Sequence, residues 1–167
     1  MIIREAQTGD VAAITALYNA TIPTTTTAWT ETLQSAEERQ EWFEHQQSEG
    51  FPVLVAEADG VVVGYAAYEH FRGAGKWPGY RFTVENSVHV HEAHWGTGVG
   101  RSLIEQLVDH ARAAGLHVMV AAIDGANSGS VEFHRRLGFV EVARMPETGH
   151  KFGRWLDLVL MQRILDT

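Results

Sequence analysis

The sequence predicts an α/β fold of the α+β kind: a mixed, mostly antiparallel, twisted sheet of about seven strands with helices on both faces. Three observations predict it. The length of 167 residues suits a single domain. Apolar patterning switches between short strand-like runs and stretches of helical period, in the order β-α-α-β-β-β-α-β-α-β-β. Asp59-Gly60, set between two apolar runs, is a hairpin signal that joins neighbouring strands antiparallel.

Each element has its own cause. Ile2 to Glu5 reads as a first strand, and Thr8 offers an N-cap oxygen to the helix after it. Asp10 puts a carboxylate in that helix's first turn, and Val11, Ile14, Leu17 and Tyr18 recur at helical spacing from about Gly9 to Thr21. Pro23 and the β-branched run Thr24 to Thr27 stop it and suit an extended loop. Ser35 with Glu38 is a capping box for a second helix to about Gln47. Strands follow at Phe51 to Ala56 and Val61 to Tyr68, then a Gly-rich loop from Phe71 to Tyr80 and a strand from Phe82 to Val90. The next helix carries the stripe Val99, Leu103, Ile104, Leu107, Val108 and Ala111, with Gly115 as its stop. Val118 to Ile123 is a strand, Ser128 to Leu137 a short helix ended by Gly138, and Phe139 to Ala143 and Trp155 to Gln162 the last strands.

Composition excludes several function classes. With no Cys there is no disulfide framework, thiol nucleophile or Cys-based metal site. A formal charge of −8 argues against a nucleic-acid partner, which calls for a basic face. No apolar run reaches the ~18 residues of a membrane helix, and Met1 to Glu5 lacks a signal-peptide core. The expectation is a cytoplasmic protein with no membrane partner.

The sharpest local signal is a strand, then Gly96-Thr97-Gly98-Val99-Gly100, then a helix. A helix start presents unsatisfied N–H groups and partial positive charge, and glycines let a ligand approach the backbone. Together they form a pyrophosphate cradle, although a plain strand-to-helix turn uses the same residues. No Lys-Ser/Thr pair follows, so the pattern is not a P-loop.

The surrounding order resembles the GCN5-related N-acetyltransferase (GNAT) superfamily: strand, glycine turn, amphipathic helix, strand, then Asn127 and a helix ending Leu137-Gly138-Phe139. The superfamily turn reads Arg/Gln-x-x-Gly-x-Gly/Ala, which Gly98-Val99-Gly100 matches. Trp95 stands at the Arg/Gln position, a departure that removes a side-chain contact and leaves the backbone cradle. Three further segments are similar to the phosphinothricin and methionine sulfone/sulfoximine N-acetyltransferase branch: Tyr80 to Val88, His134 to Phe139, and Lys151 to Asp157, with the Thr-rich loop before Trp29. The resemblance implies one N-acetyltransferase domain over residues 1–167, acetyl-CoA as cosubstrate, a homodimer, no metal, and a role in detoxification or antibiotic and herbicide resistance.

The chemistry needs a neutral amine. A carboxylate that accepts its proton contributes typically ~10²–10⁴-fold. Glu85, mid-strand between Val84 and Asn86, is the candidate, although an exposed edge-strand Glu would read the same way. The resemblance puts Glu85 at the branch's general base and His134 at the group that protonates the departing thiolate. It assigns the coenzyme to Gly96, Thr97, Gly98, Val99, Gly100 and Arg101, to Asn127 and Ser130, and to the backbone of Val88, His89 and Val90, which would pair with the pantetheine arm as a missing strand does.

For the acceptor, Phe71 to Arg81 carries Arg72, Lys76 and Arg81 with no acid, an unusual local excess. A guanidinium pairs bidentately with carboxylate or phosphinate oxygens, so Arg72 and Arg81 are candidate acceptor contacts; a solvated loop is the plainer reading. Thr26, Thr27 and Trp29 are expected to close the pocket, with Lys151 and Arg154 near it and Trp155 either there or in the core. The rivals are another acceptor (a protein N-terminus or a polyamine), a coenzyme-binding sensor without catalysis, and a zinc hydrolase built on His89, His91 and His94, for which no fourth ligand is placed.

Overall fold

In the computed structural model, residues 1–72 and 76–165 are described, so the glycine-rich centre of the loop, 73–75, lies outside them. The elements are β1 (Ile2–Glu5), α1 (Val11–Thr21), α2 (Ala36–Glu49), β2 (Val53–Ala58), β3 (Val61–His70), β4 (Thr83–Val90), α3 (Val99–Ala113), β5 (Val118–Asp124), α4 (Ser128–Arg136), β6 (Val140–Lys151) and β7 (Arg154–Ile164). The seven strands form one sheet in the order β1-β2-β3-β4-β5-β7-β6, antiparallel except where β4 meets β5.

Alternation along β2 shows how the sheet is covered. Leu54 and Ala56 face α3, where Leu103, Ile104, Leu107, Val108 and Ala111 form the larger core. Val53 and Val55 face α1 and α2, against Val11, Ile14 and Phe43. The Ser35–Glu38 capping box forms as expected. Thr8 does not cap α1. A short 3₁₀ turn over Thr8–Asp10 precedes the helix, and Asp10 accepts the Gln7 N–H at 2.7 Å while Arg4 grips both its oxygens.

The last hairpin is longer than its sequence suggests, with β6 running to Lys151. β6 is an edge strand exposed along most of its length, so no alternating apolar pattern marks it, and irregularities at Glu141/Ala143 and Met145/Gly149 break its register. Trp155 on β7 is exposed and outside the core.

The site arises where the one parallel pairing stops. β4 pairs with β3 from Val84 to Val90, but with β5 only from Thr83↔Val118 to Glu85↔Val120. Beyond that rung the strands diverge. Asn86, buried at the apex, donates Nδ2 to the Val120 carbonyl at 2.9 Å. His91 N–H donates to Val63 O, which fixes the antiparallel register so that the backbone groups of Val88 and Val90 point away from β3 into the fork, whereas those of His89, expected to join them, turn to Tyr65 of β3.

Candidate active site

The fork opens into a cavity of about 300 Å³. Its floor is β4 from Glu85 to His89, its far wall Ala121, Ala122 and Ile123 of β5, and its rim Thr27, Trp29, Ser130, His134 and Leu158. Glu85 stands at the apex, and Glu69 of β3 lies directly opposite it in the ladder. Burial pushes the Glu85 carboxyl above the usual carboxylate range, and the neighbouring Glu69 charge adds to the shift. That moves it toward the pKa of a useful base at neutral pH.

His134 projects from α4 into the same cavity and is 4% exposed. Its Nδ1 lies 2.9 Å from the Ser130 carbonyl, which only accepts, so Nδ1 carries the proton. Nε2 is buried with no partner among the described residues. Burial lowers the pKa, against the raising effect of the Ser130 bond. The resting ring is therefore neutral, with the Nε2 lone pair free.

At the open end of the fork, Gly96 and Gly98 adopt φ of +74° and +91°, and a methyl built on either meets nothing within 4 Å. Gly98 caps α3, so the N–H groups of Val99, Gly100 and Arg101 head a fifteen-residue helix. Gly100 has a different use: a methyl there lies 3.3 Å from Phe133 Cζ, so this glycine lets α3 approach α4. Arg101 is exposed in the first turn and Thr97 caps the His94 carbonyl. Trp95, 64% exposed, donates its indole N–H to the Val90 carbonyl at 2.8 Å, so the departure from the Arg/Gln pattern places an aromatic ring beside the fork. Asn127 caps α4 by accepting the Ser130 N–H at 3.0 Å.

The histidine-rich segment does not converge. His89 is buried and stacked on Tyr65 at 4.9 Å, while His91 caps the Ala93 N–H from outside the strand. Burial and the Arg39 guanidinium push His89 down to about 4. No group of three metal-ligating side chains forms among the described residues.

The acceptor side differs from expectation in detail. Thr27 and Trp29 line the cavity. Thr26 turns its hydroxyl to Asp124 at 2.6 Å, and Lys151 does not face the cavity. The Lys151 ammonium, on a residue 1% exposed, donates to the Thr25 and Ala28 carbonyls at 2.7 Å each and so holds the loop in place. Arg81 reaches back to the Pro78 carbonyl and lies over Phe82, and Arg72 lies over Tyr80; neither lines the cavity.

The acetyltransferase (GNAT) family model matches residues 14–139. The chain belongs to the GNAT acetyltransferase family. An L-methionine sulfoximine/L-methionine sulfone acetyltransferase of Salmonella typhimurium is 48% identical over 166 residues, covering 99% of this chain and 95% of the relative. A ribosomal-protein-alanine N-acetyltransferase of Brucella melitensis superposes with a TM-score of 0.95 at 44% identity, covering 99% and 100% of the two chains. A Salmonella typhimurium acetyltransferase solved with its cofactor acetyl-CoA gives 0.94 at 47% identity, covering 99% and 94%.

This GNAT acyltransferase fits acetyl-CoA on its own features: the open glycine turn, the fork-facing backbone of Val88 and Val90, and the buried bare Nε2 of His134. Sequence reasoning missed Asn86 at the apex and Asp124 at the end of β5. The available signal was an Asp closing the otherwise apolar β5; β4 is rich in polar residues, so nothing in its sequence singles out Asn86.

Proposed function

We propose that this acetyltransferase acetylates the α-amino group of a small amino-acid analogue of the methionine sulfone, methionine sulfoximine or phosphinothricin class, by direct transfer in a ternary complex. The observation that carries the proposal is one cavity in which Glu85, the Thr27–Trp29 wall, His134 and the fork meet. Its volume of about 300 Å³ suits a small acceptor. The name of the Salmonella relative supports the same class.

Acetyl-CoA supplies the acetyl thioester. Fork-facing N–H groups of β4 and the start of α3 hold it, with Gly96, Thr97, Gly98, Val99, Gly100 and Arg101 at its phosphates and Asn127 and Ser130 along the arm. The amine nitrogen forms the new C–N bond as the C–S bond breaks. Glu85 takes the amine proton, directly or through water. The sulfur gains its proton from water, or from a His134 that has first gained one at Nε2. Arg72 and Arg81 attract anionic acceptors to the cavity mouth.

We further place the enzyme in the cytoplasm as a homodimer with a detoxifying role. Exposed Val140, Val142, Met145 and Ile164 on the edge hairpin support pairing of two copies. Sedimentation velocity tests this: a species of one chain's mass at micromolar concentration overturns it.

A protein N-terminus is the second reading, favoured by the name of the Brucella neighbour. A thiol-release assay with acetyl-CoA separates the two, using phosphinothricin, methionine sulfone, methionine sulfoximine, a polyamine and a peptide beginning with alanine. The sulfone or sulfoximine is expected to give the highest kcat/KM. Turnover of the peptide alone overturns the proposal.

A further inference from the structure

Asp124 ends β5 immediately after Ile123 of the cavity wall and is 4% exposed. Its two carboxylate oxygens serve two different parts of the molecule. Oδ2 accepts the Thr26 hydroxyl at 2.6 Å, from the loop that supplies Thr27 and Trp29. Oδ1 accepts the Ala126 N–H at 3.0 Å, in the turn that leads into α4. The Asp124 carbonyl accepts the Asn127 N–H at 2.8 Å in the same turn. From there, Asn127 caps the Ser130 N–H, and the Ser130 carbonyl fixes the proton on His134 Nδ1. The Arg154 guanidinium lies 3.7 Å from Oδ2, half exposed, and completes the surroundings without a close hydrogen bond.

We infer that Asp124 is a positioning residue that locks the acceptor-side loop to the α4 turn, so that the wall of the amine pocket and the His134 side of the fork are ordered together. The inference rests on the reading of the Thr27–Trp29 loop as the acceptor side. A carboxylate suits the position. It is acceptor-only with two oxygens, so it takes the hydroxyl and the N–H at once. An amide of the same shape keeps the Ala126 bond through its oxygen and meets Thr26 by turning its NH₂ on the hydroxyl oxygen, so the link survives without its charge-assisted strength. A buried carboxylate is costly unless hydrogen-bonded, and these two charge-assisted bonds are among the strong ones. Lys151 anchors the same loop at Thr25 and Ala28, on either side of Thr26. The loop therefore keeps its fold when the Thr26 bond alone is removed, which makes the contribution of Asp124 separable.

The test uses Thr26→Val, Thr26→Ser, Asp124→Asn and the Thr26→Val/Asp124→Asn double variant in the full chain. With methionine sulfone as acceptor, Thr26→Val, which removes the link, is expected to raise the acceptor KM about 10-fold, and Asp124→Asn, which weakens it, to raise KM by less. The double variant is expected to be no worse than Thr26→Val alone, because both substitutions act on the same link. Thr26→Ser, which keeps the donor, recovers most of the loss. Hydrogen exchange supplies a readout that needs no acceptor. Added CoA should slow exchange over residues 24–29 in the wild type and not in Thr26→Val. An unaltered KM together with unaltered CoA-dependent protection in Thr26→Val overturns the inference, as does a double variant whose losses multiply. Should Asp124→Asn not fold, the Thr26→Val and Thr26→Ser pair decides alone. If no amine in the panel is acetylated, the acceptor reading fails, yet the exchange result still judges the lock.

Discussion

Gly149→Ala is a sharp test of how the Trp29 wall of the cavity, the proposed acceptor side, is built. Gly149 of β6 pairs with Leu156 of β7, and its φ is not in the left-handed region, so alanine brings no backbone strain. The effect is steric. A methyl built there lies 2.9 Å from Trp29 Cδ2 and closer still to Cε3 and Cζ3. Ordinary carbon–carbon contact is about 3.5–4.0 Å, so the indole must withdraw by more than about 0.6 Å. The ring is rigid, and its loop is tied at Ala28 and Thr25 to Lys151, so withdrawal means tilting Trp29 within the cavity or breaking those bonds. Overpacking of this kind costs typically about 1–3 kcal/mol, and misplacing a positioning group by about 1 Å can cost about 100-fold in rate. The expected result is a 10- to 100-fold fall (roughly) in kcat/KM for methionine sulfone, carried mainly by acceptor KM, with acetyl-CoA KM nearly unchanged. Steady-state thiol release and a thermal melt are the assays. Wild-type kcat/KM with a wild-type melting temperature refutes the packing of Trp29 on Gly149 as the wall's foundation.

Three other outcomes are expected. Glu85→Gln should lower kcat at pH 7 by about 10²–10⁴-fold and recover part of that at high pH, where the amine loses its own proton; equal activity at pH 7 removes Glu85 as base. Since a base works above its pKa, the acidic limb of the wild-type kcat/KM profile should lie above the ordinary Glu range, and Glu69→Gln should move it down; an unmoved limb contradicts the pairing of the two carboxylates. Asp10 is held below the usual carboxylate range by its hydrogen bonds to Arg4, so its contribution is full above the unfolded value of about 3.9 and fades as pH falls through the lower folded value. Asp10→Asn should therefore cost about 1–2 kcal/mol in urea unfolding at pH 7 and progressively less below pH 4; a pH-independent difference counts against that account.

The sheet and both helical layers were legible because their residues carry strong local signals. The α3 stripe from Val99 to Ala111, the Ser35–Glu38 box and the Asp59-Gly60 turn all appear where their patterns put them. The glycine turn was legible for the same reason, since positive φ at Gly96 and Gly98 is a local backbone demand. Contacts between distant segments were not legible. Lys151 reaches a loop more than 120 residues earlier, and Thr26 meets Asp124 across 98 positions; no window of sequence reports either bond. A Lys beside aromatic residues and a Thr in a Thr run look like pocket contacts, and only the fold shows their polar atoms already engaged. β6 was missed beyond Ala143 because an edge strand buries little and so needs no apolar alternation.

The charge distribution ties these points to the chemistry. On the proposed reading, a molecule of net charge −8 attracts an anionic coenzyme and an acceptor that carries a carboxylate. Its basic residues near the site do not line the cavity. Lys151 is bound to carbonyls, Arg154 stands 3.7 Å from Asp124, and the Arg72 and Arg81 heads rest on Tyr80 and Phe82 outside it. What the fork and the start of α3 offer an anion are N–H dipoles, which favour negative charge without placing a full cation in the cavity. That arrangement suits the transfer. A cation in the cavity would pull the Glu85 pKa down and weaken it as a base, whereas burial and Glu69 act in the opposite sense. Cations outside the cavity still give long-range attraction, which salt screens, without lowering the Glu85 pKa at short range. Arg81→Ala should accordingly raise KM for phosphinothricin a few-fold at low salt, leave kcat alone, and lose its effect near 0.5 M salt. A kcat defect that persists in high salt would put the Arg81 guanidinium in the cavity instead.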